Sequence, residues 1–120
     1  MDKILVIDDS PVQGEFLCSI LKEDYDVTVC QRAEEGLDAA KDGCFSLILL
    51  DVIMPGMDGF MMLKELKETE ITKHIPVILL TSLADIQYEE RGLLLGAVDY
   101  VAKPFSPVII KARVDTHIQL

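Results

Sequence analysis

The stretch LILLDVIMPGMDG, residues 47–59, decides how the rest of the chain is read. A continuous run of branched apolar residues, Leu47 to Leu50, stops at a carboxylate, Asp51, and breaks into a loop carrying Pro55, Gly56 and Gly59. Apolar residues without polar alternation suit a strand covered on both faces. Such strands belong to parallel sheets flanked by helices, and those sheets take their ligands beyond the carboxyl ends of the strands. An acid at the end of a buried strand is therefore a candidate site residue. The question is what else reaches the same edge.

Further apolar runs lie at Lys3–Ile7, Val27–Cys30, Val77–Leu80 and Val98–Ala102, with Ser46–Leu50 the middle one. Between them the apolar residues take helical spacing, as in Leu17, Ile20 and Leu21, or Leu63 and Leu66 in GFMMLKELKET. Ser10-Pro11 and Ser106-Pro107 each read as an N-cap followed by proline at the first helical position. Gly43 and Gly96 fall where helices are expected to stop. This alternation predicts one α/β domain over residues 1–120: a doubly wound, five-stranded parallel sheet flanked by five helices, joined by right-handed crossovers.

Asp8 and Asp9 follow the first strand, Asp51 the third, Thr81 and Ser82 the fourth, and Lys103 and Pro104 the fifth. Cys30 and Gln31 at the end of the second carry nothing comparable. In the strand order 2-1-3-4-5 that strand lies at an edge, away from the switch point. Clustered carboxylates raise one another's pKa unless a cation neutralises them. One or two carboxylates completed by water suit magnesium better than calcium. A carboxylate also serves as a nucleophile forming an aspartyl-phosphate. Phosphoryl transfer asks mainly for positioning and charge neutralisation, with a metal on one side and a lysine or hydroxyl donor on the other. Taken singly, each residue has a plainer reading: Asp8 and Asp9 as loop acids, Asp51 as a turn residue, Thr81 as a strand end, Lys103 as an exposed loop lysine. The coincidence at four of five strand ends favours the site. Asp58 reads as an N-cap for the third helix, and His74 and His117 as surface residues.

The composition is half hydrophobic and 27% charged, as in a folded soluble domain. A net charge of −10 argues against direct nucleic-acid binding, which needs a basic surface, and disfavours anionic membranes. It suits a protein that holds a cation, although any single acid is more often solvated surface. Cys18, Cys30 and Cys44 are odd in number and widely spaced, which points to reduced, mostly buried thiols rather than a disulfide framework or a zinc site. The opening MDKILVIDDS is too short in apolar residues for a signal peptide, and no segment reaches transmembrane length. The expected compartment is the cytoplasm.

Together ILVIDDS (4–10), LILLDVIMPGMDG (47–59), PVILLTSLAD (76–85) and GAVDYVAKPF (96–105) resemble the receiver domain of bacterial two-component response regulators, over essentially the whole chain. The resemblance implies a flavodoxin-like sheet and a phospho-acceptor, Asp51, that takes a phosphoryl group from the phosphohistidine of a sensor histidine kinase or phosphotransfer protein. It implies magnesium held by Asp9, Asp51 and the backbone carbonyl of Ile53, with Asp8 helping through water. Lys103 would pair with the phosphate, on a cis bond to Pro104. Thr81 would swing toward the phosphoryl oxygens and Tyr100 follow it inward as an aromatic switch; an ordinary half-buried strand aromatic is the alternative for Tyr100. Phosphorylation is then expected to change a surface of the fourth helix, fifth strand and fifth helix, controlling an output domain or a partner protein, with no turnover of a separate metabolite. Competing readings are a magnesium-dependent phosphatase, whose Asp-x-Asp spacing DDSPV lacks, and a binding module that takes no phosphate.

Three features go beyond the general pattern. Leu93, Leu94 and Leu95 occupy successive positions spanning about 200° of a helix, so at least one is expected on the surface, where it would serve dimerisation or an output domain. SPVIIKARVDTHIQL keeps helical apolar spacing through Ile110, Val114 and Ile118 without a polar tail. The chain is accordingly expected to be the N-terminal receiver part of a longer regulator, and KARVDTHIQL resembles receivers joined to cyclic-dinucleotide enzymes or kinases. The resemblance implies that Ile53 and Leu83, two positions beyond Asp51 and Thr81, flank the path of a hydrolytic water, and their bulk predicts slow autodephosphorylation.

Overall fold

The computed structural model describes residues 1–54, 57–82 and 86–119, and their side chains except those of Ile53, Met54, Met57, Ser82, Ile86, Gln87 and Tyr88. Five strands, β1 (Lys3–Ile7), β2 (Asp26–Cys30), β3 (Leu47–Asp51), β4 (Val77–Ser82) and β5 (Asp99–Lys103), form one parallel sheet in the order β2-β1-β3-β4-β5. The helices between and after them are α1 (Pro11–Leu21), α2 (Ala33–Asp42), α3 (Gly59–Glu68), α4 (Ile86–Leu94) and α5 (Pro107–Gln119). A separate two-residue antiparallel ribbon pairs Ile53–Met54 with Met57–Asp58.

The continuous apolar runs are explained by two cores. Alternate residues of the strands point to opposite faces. Leu5, Ile7, Ile48, Leu50, Val77 and Leu79 pack with Leu63 and Leu66 of α3 and the alanines of α2. Ile4, Val6, Leu47, Leu49, Ile78 and Leu80 pack with Leu17 and Leu21 of α1 and Ile110 and Val114 of α5. Each fully buried leucine or isoleucine is worth about 1.5–3 kcal/mol of transfer free energy, so both faces strongly favour this register. β2 is an edge strand, and its residues are only half-buried or exposed.

The strand boundaries differ from the sequence expectation in a way that matters for the site. Asp51, Thr81 and Lys103 are not past their strands but in them. Asp51 is in register with Leu80, Thr81 with Ala102, and Ser82 with Lys103, so the ladder runs on through polar residues that composition alone would exclude. β2 likewise begins at Asp26, paired with Lys3.

The caps follow the sequence. The Ser10 hydroxyl accepts from the Gln13 amide at 3.3 Å, and Asp58 Oδ1 accepts from the Phe60 amide at 2.8 Å. α2 stops at Gly43 in ordinary extended backbone, whereas Gly96, just beyond α4, takes a left-handed φ of 109° that disfavours a side chain. Gly59 is needed for close approach: a Cβ there would sit 2.6 Å from the Val52 carbonyl oxygen and closer still to that of Asp51. Leu93 and Leu94 are 47% and 88% exposed, while Leu95 packs against the core.

Two expectations are corrected. The thiols are free but not mostly buried: Cys18 and Cys30 are half-buried and Cys44 is exposed, because Cys30 lies on the edge strand and Cys44 between α2 and β3. His117 is not a plain surface residue. α5 lays it against β5, where its Nε2 lies 3.1 Å from Asp99 Oδ2 beside the Arg113 guanidinium at 3.0 Å. His74 is exposed as expected.

Candidate functional site

The sheet brings the predicted residues to one edge. β1 delivers Asp8 and Asp9, β3 ends in Asp51, β4 carries Thr81 next to its last residue, and β5 ends in Lys103. Carboxylate oxygens of Asp8, Asp9 and Asp51 all lie within 4.8 Å of one another. Asp8 and Asp51 are buried, as is Thr81, while Asp9 is exposed. The backbone holds this arrangement: the Asp8 amide donates to the Cys30 carbonyl at 3.0 Å, and the Val52 amide to the Leu80 carbonyl at 3.0 Å.

Like charges at such separations repel by on the order of 3 kcal/mol at an effective dielectric of about 20. The Lys103 ammonium offsets part of this, with Nζ 3.2 Å from Asp51 Oδ2. Asp8 carries the rest. Its carboxyl is pushed up to about 6, chiefly by burial and further by Asp51, against the lowering pull of the Ser10 amide, which donates to Oδ1 at 2.9 Å, and of the Lys103 charge. Among the described residues Asp8 Oδ2 is buried with no hydrogen-bond partner, an expensive condition for a carboxylate oxygen unless a cation satisfies it. The donor set therefore fits a hard divalent ion: oxygen ligands only, with Asp9 at the solvent side where retained waters have room.

Ile53 lies in the ribbon two residues beyond Asp51, but its side chain, like the whole of Leu83, falls outside the described residues. The Lys103–Pro104 peptide is cis, as the resemblance implies. Tyr100 is half-buried and packs against the core, and the Glu89 carboxylate of α4 is the main cause of its raised pKa. The sequence reading missed what Asp58 does besides capping. Its Oδ2 lies 3.9 Å from the Arg91 guanidinium, whose carbon stands 4.4 Å from the centre of the Phe60 ring. It also missed the Asp99–Arg113–His117 cluster, whose members sit four residues apart on α5 and at the start of β5.

A family model described as the response regulator receiver domain matches residues 4–115. The chain belongs to the response regulator receiver domain family. As a receiver domain it is a phosphoryl-accepting signalling switch. Among relatives, a Vibrio cholerae serotype O1 protein named "Probable cyclic di-GMP phosphodiesterase" is 39% identical over 97% of this chain and 26% of its own length. The phosphate regulon transcriptional regulatory protein PhoB of Escherichia coli K12 is 38% identical over 93% of this chain and 49% of its own. The chain thus spans between a quarter and a half of these relatives. Among solved structures, the receiver domain of the Francisella response regulator 1452 superposes with a TM-score of 0.91 at 32% identity, over 99% of this chain and 98% of that one. A beryllofluoride-activated DrrB receiver domain gives 0.91 at 33%, over 100% and 99%.

Proposed function

We propose that Asp51 of this receiver domain is the phospho-acceptor, and that a sensor histidine kinase or phosphotransfer protein supplies the phosphoryl group from a phosphohistidine. The observation that carries the reading is the Lys103 ammonium at 3.2 Å from the Asp51 carboxylate, on a carboxylate that also belongs to the Asp8–Asp9–Asp51 cluster. A nucleophile so placed has positive charge on one side and cation ligands on the other. A carboxylate oxygen of Asp51 forms a bond to phosphorus as the phosphorus–nitrogen bond of the donor breaks, and the imidazole leaves with a proton. Lys103 neutralises charge on the transferring oxygens, and Thr81, buried on β4, offers its hydroxyl to one of them. Asp9, Asp51 and the Ile53 carbonyl hold magnesium, with Asp8 in support; the ion supplies electrostatic stabilisation of the phosphoryl oxygens.

Thr81 and Tyr100 form the switch, and the α4, β5 and α5 surface is its output. Exposed Leu94 and Ile109 on that surface support its use in homodimerisation or in contact with an output domain. The partial span of the relatives supports an output domain in the same chain, with a cyclic-dinucleotide enzyme, a kinase or a DNA-binding domain as the alternatives. The test is an amide NMR titration with beryllium fluoride and magnesium. Thr81, Tyr100 and Lys103 are expected to shift in the intact protein and not in Asp51→Asn. Equal shifts in both would refute Asp51 as the acceptor.

A further inference from the structure

α4 is held to the domain in an unusual way. Among its residues with described side chains, Glu89 to Leu94, the sole buried one is Gly92, which has no side chain to bury. Gly92 is seated so closely on Leu79 of β4 that any Cβ would overlap the leucine. Among the described side chains of α4, the attachment beside this seat is polar. Arg91 lies over the Phe60 ring, 4.4 Å from its centre, and 3.9 Å from Asp58. Asp58 and Phe60 open α3, and the glycine between them is pressed against the carbonyls of Asp51 and Val52.

We propose that Arg91 is a clamp that holds α4 in its resting position against the first turn of α3, and that releasing it is part of the switch. The inference rests on the reading of Asp51 as phospho-acceptor and Tyr100 as the residue that turns inward. Gly92 seats α4 on Leu79 of β4, and Leu79 is in register with Tyr100 of β5, so a turn of Tyr100 is felt at the base of the helix. Gly92 and Arg91 are neighbours on that helix, so a shift that follows Tyr100 strains the Arg91 contacts. The first turn of α3 has no room to follow, because Gly59 already sits against the backbone of Asp51 and Val52. The clamp therefore belongs to the resting arrangement, and removing it favours the switched one. A ligand that binds the switched arrangement then binds more tightly, in proportion to the population released.

The experiment measures beryllium fluoride affinity in saturating magnesium for the intact chain, Arg91→Ala, Arg91→Lys and Asp58→Asn. An exposed cation–π contact with a long ion pair is worth about a fivefold change in an equilibrium, so Arg91→Ala is expected to tighten binding about fivefold. Arg91→Lys keeps a cation over Phe60 and is expected near the wild-type affinity. Asp58→Asn keeps the α3 cap and drops the charge, with a tightening of about twofold expected; it also serves should Arg91→Ala fail to fold. A merely structural role for Arg91 leaves the affinity unchanged or weakens it, and either result in folded Arg91→Ala overturns the clamp while wild-type binding upholds the Asp51 reading. Absence of binding in the wild type overturns that reading and the clamp with it.

Discussion

Asp8→Asn is expected to make the magnesium-free domain more stable, against the usual direction for a substitution at a fully buried polar position. The Asp8 carboxyl is raised from 3.8 to about 6, chiefly by burial, with Asp51 adding to it. Between these two values the folded protein binds a proton that the unfolded chain has lost, so stability falls as pH rises through this window. At about 1.4 kcal/mol per pH unit, the ionised carboxylate costs about 3 kcal/mol once the pH is well above 6. Asparagine keeps the shape, accepts from the Ser10 amide through its carbonyl and turns its amide toward the Asp51 carboxylate. Urea unfolding in chelator from pH 4 to pH 8 is the assay. The variant should match wild type near pH 4 and gain steadily to about 3 kcal/mol at pH 7.5, roughly 10 °C in Tm for a domain of this size. A variant that is less stable at every pH, or whose advantage does not depend on pH, would refute the account of this carboxylate. Magnesium should close the gap from the wild-type side, because the ion meets the same buried oxygen.

Asp99 should behave in the opposite sense. Burial raises its pKa, but hydrogen bonds from His117, the Tyr100 amide and Arg113 outweigh this and leave it lowered. Its contribution is present above the ordinary carboxylate range and is lost as pH falls through the folded value, so Asp99→Asn should cost roughly 1–3 kcal/mol at pH 7 in thermal or urea melts, with the difference fading below about pH 4. Lys103→Met should slow phosphorylation from a small phosphoramidate on the order of a hundredfold, read by intact mass over time, since a preorganised charge on the transferring oxygens is lost; an unchanged rate would remove Lys103 from the mechanism. Ile53→Asn should speed phosphate release from the phosphorylated domain by opening the path of the attacking water; a time course no faster than wild type counts against the bulk argument. Leu94→Asp should abolish any phosphorylation-dependent dimer seen by light scattering without changing the melting temperature, and unchanged assembly would exclude this face.

The fold was legible because both faces of the sheet are buried. A run such as Leu47–Leu50 supplies one core with Leu47 and Leu49 and the other with Ile48 and Leu50, and no solvent-facing strand would tolerate it. The candidate site was legible because Asp8, Asp9, Asp51, Thr81 and Lys103 recur at the same end of strands that are neighbours in the sheet, and parallel topology brings those ends together. Strand ends were misplaced by one or two residues because the length of a parallel ladder is set by the neighbour. Leu80 supports Asp51, and Ala102 supports Thr81, whatever their polarity. Arg91 over Phe60 and His117 on Asp99 left no trace in the sequence. Each joins residues from different elements through side chains that follow no period, and a lone cation or histidine on a helix reads as solvated surface.

The central claim is that this chain takes a phosphoryl group on Asp51 with the help of a divalent cation. The most direct measurement is the intact mass of wild type and Asp51→Asn after incubation with a small phosphoramidate, with magnesium and with chelator. The account predicts one added phosphoryl mass, in wild type with magnesium alone. An addition of equal extent in Asp51→Asn, or none in wild type under conditions where magnesium binding is demonstrated, would contradict it.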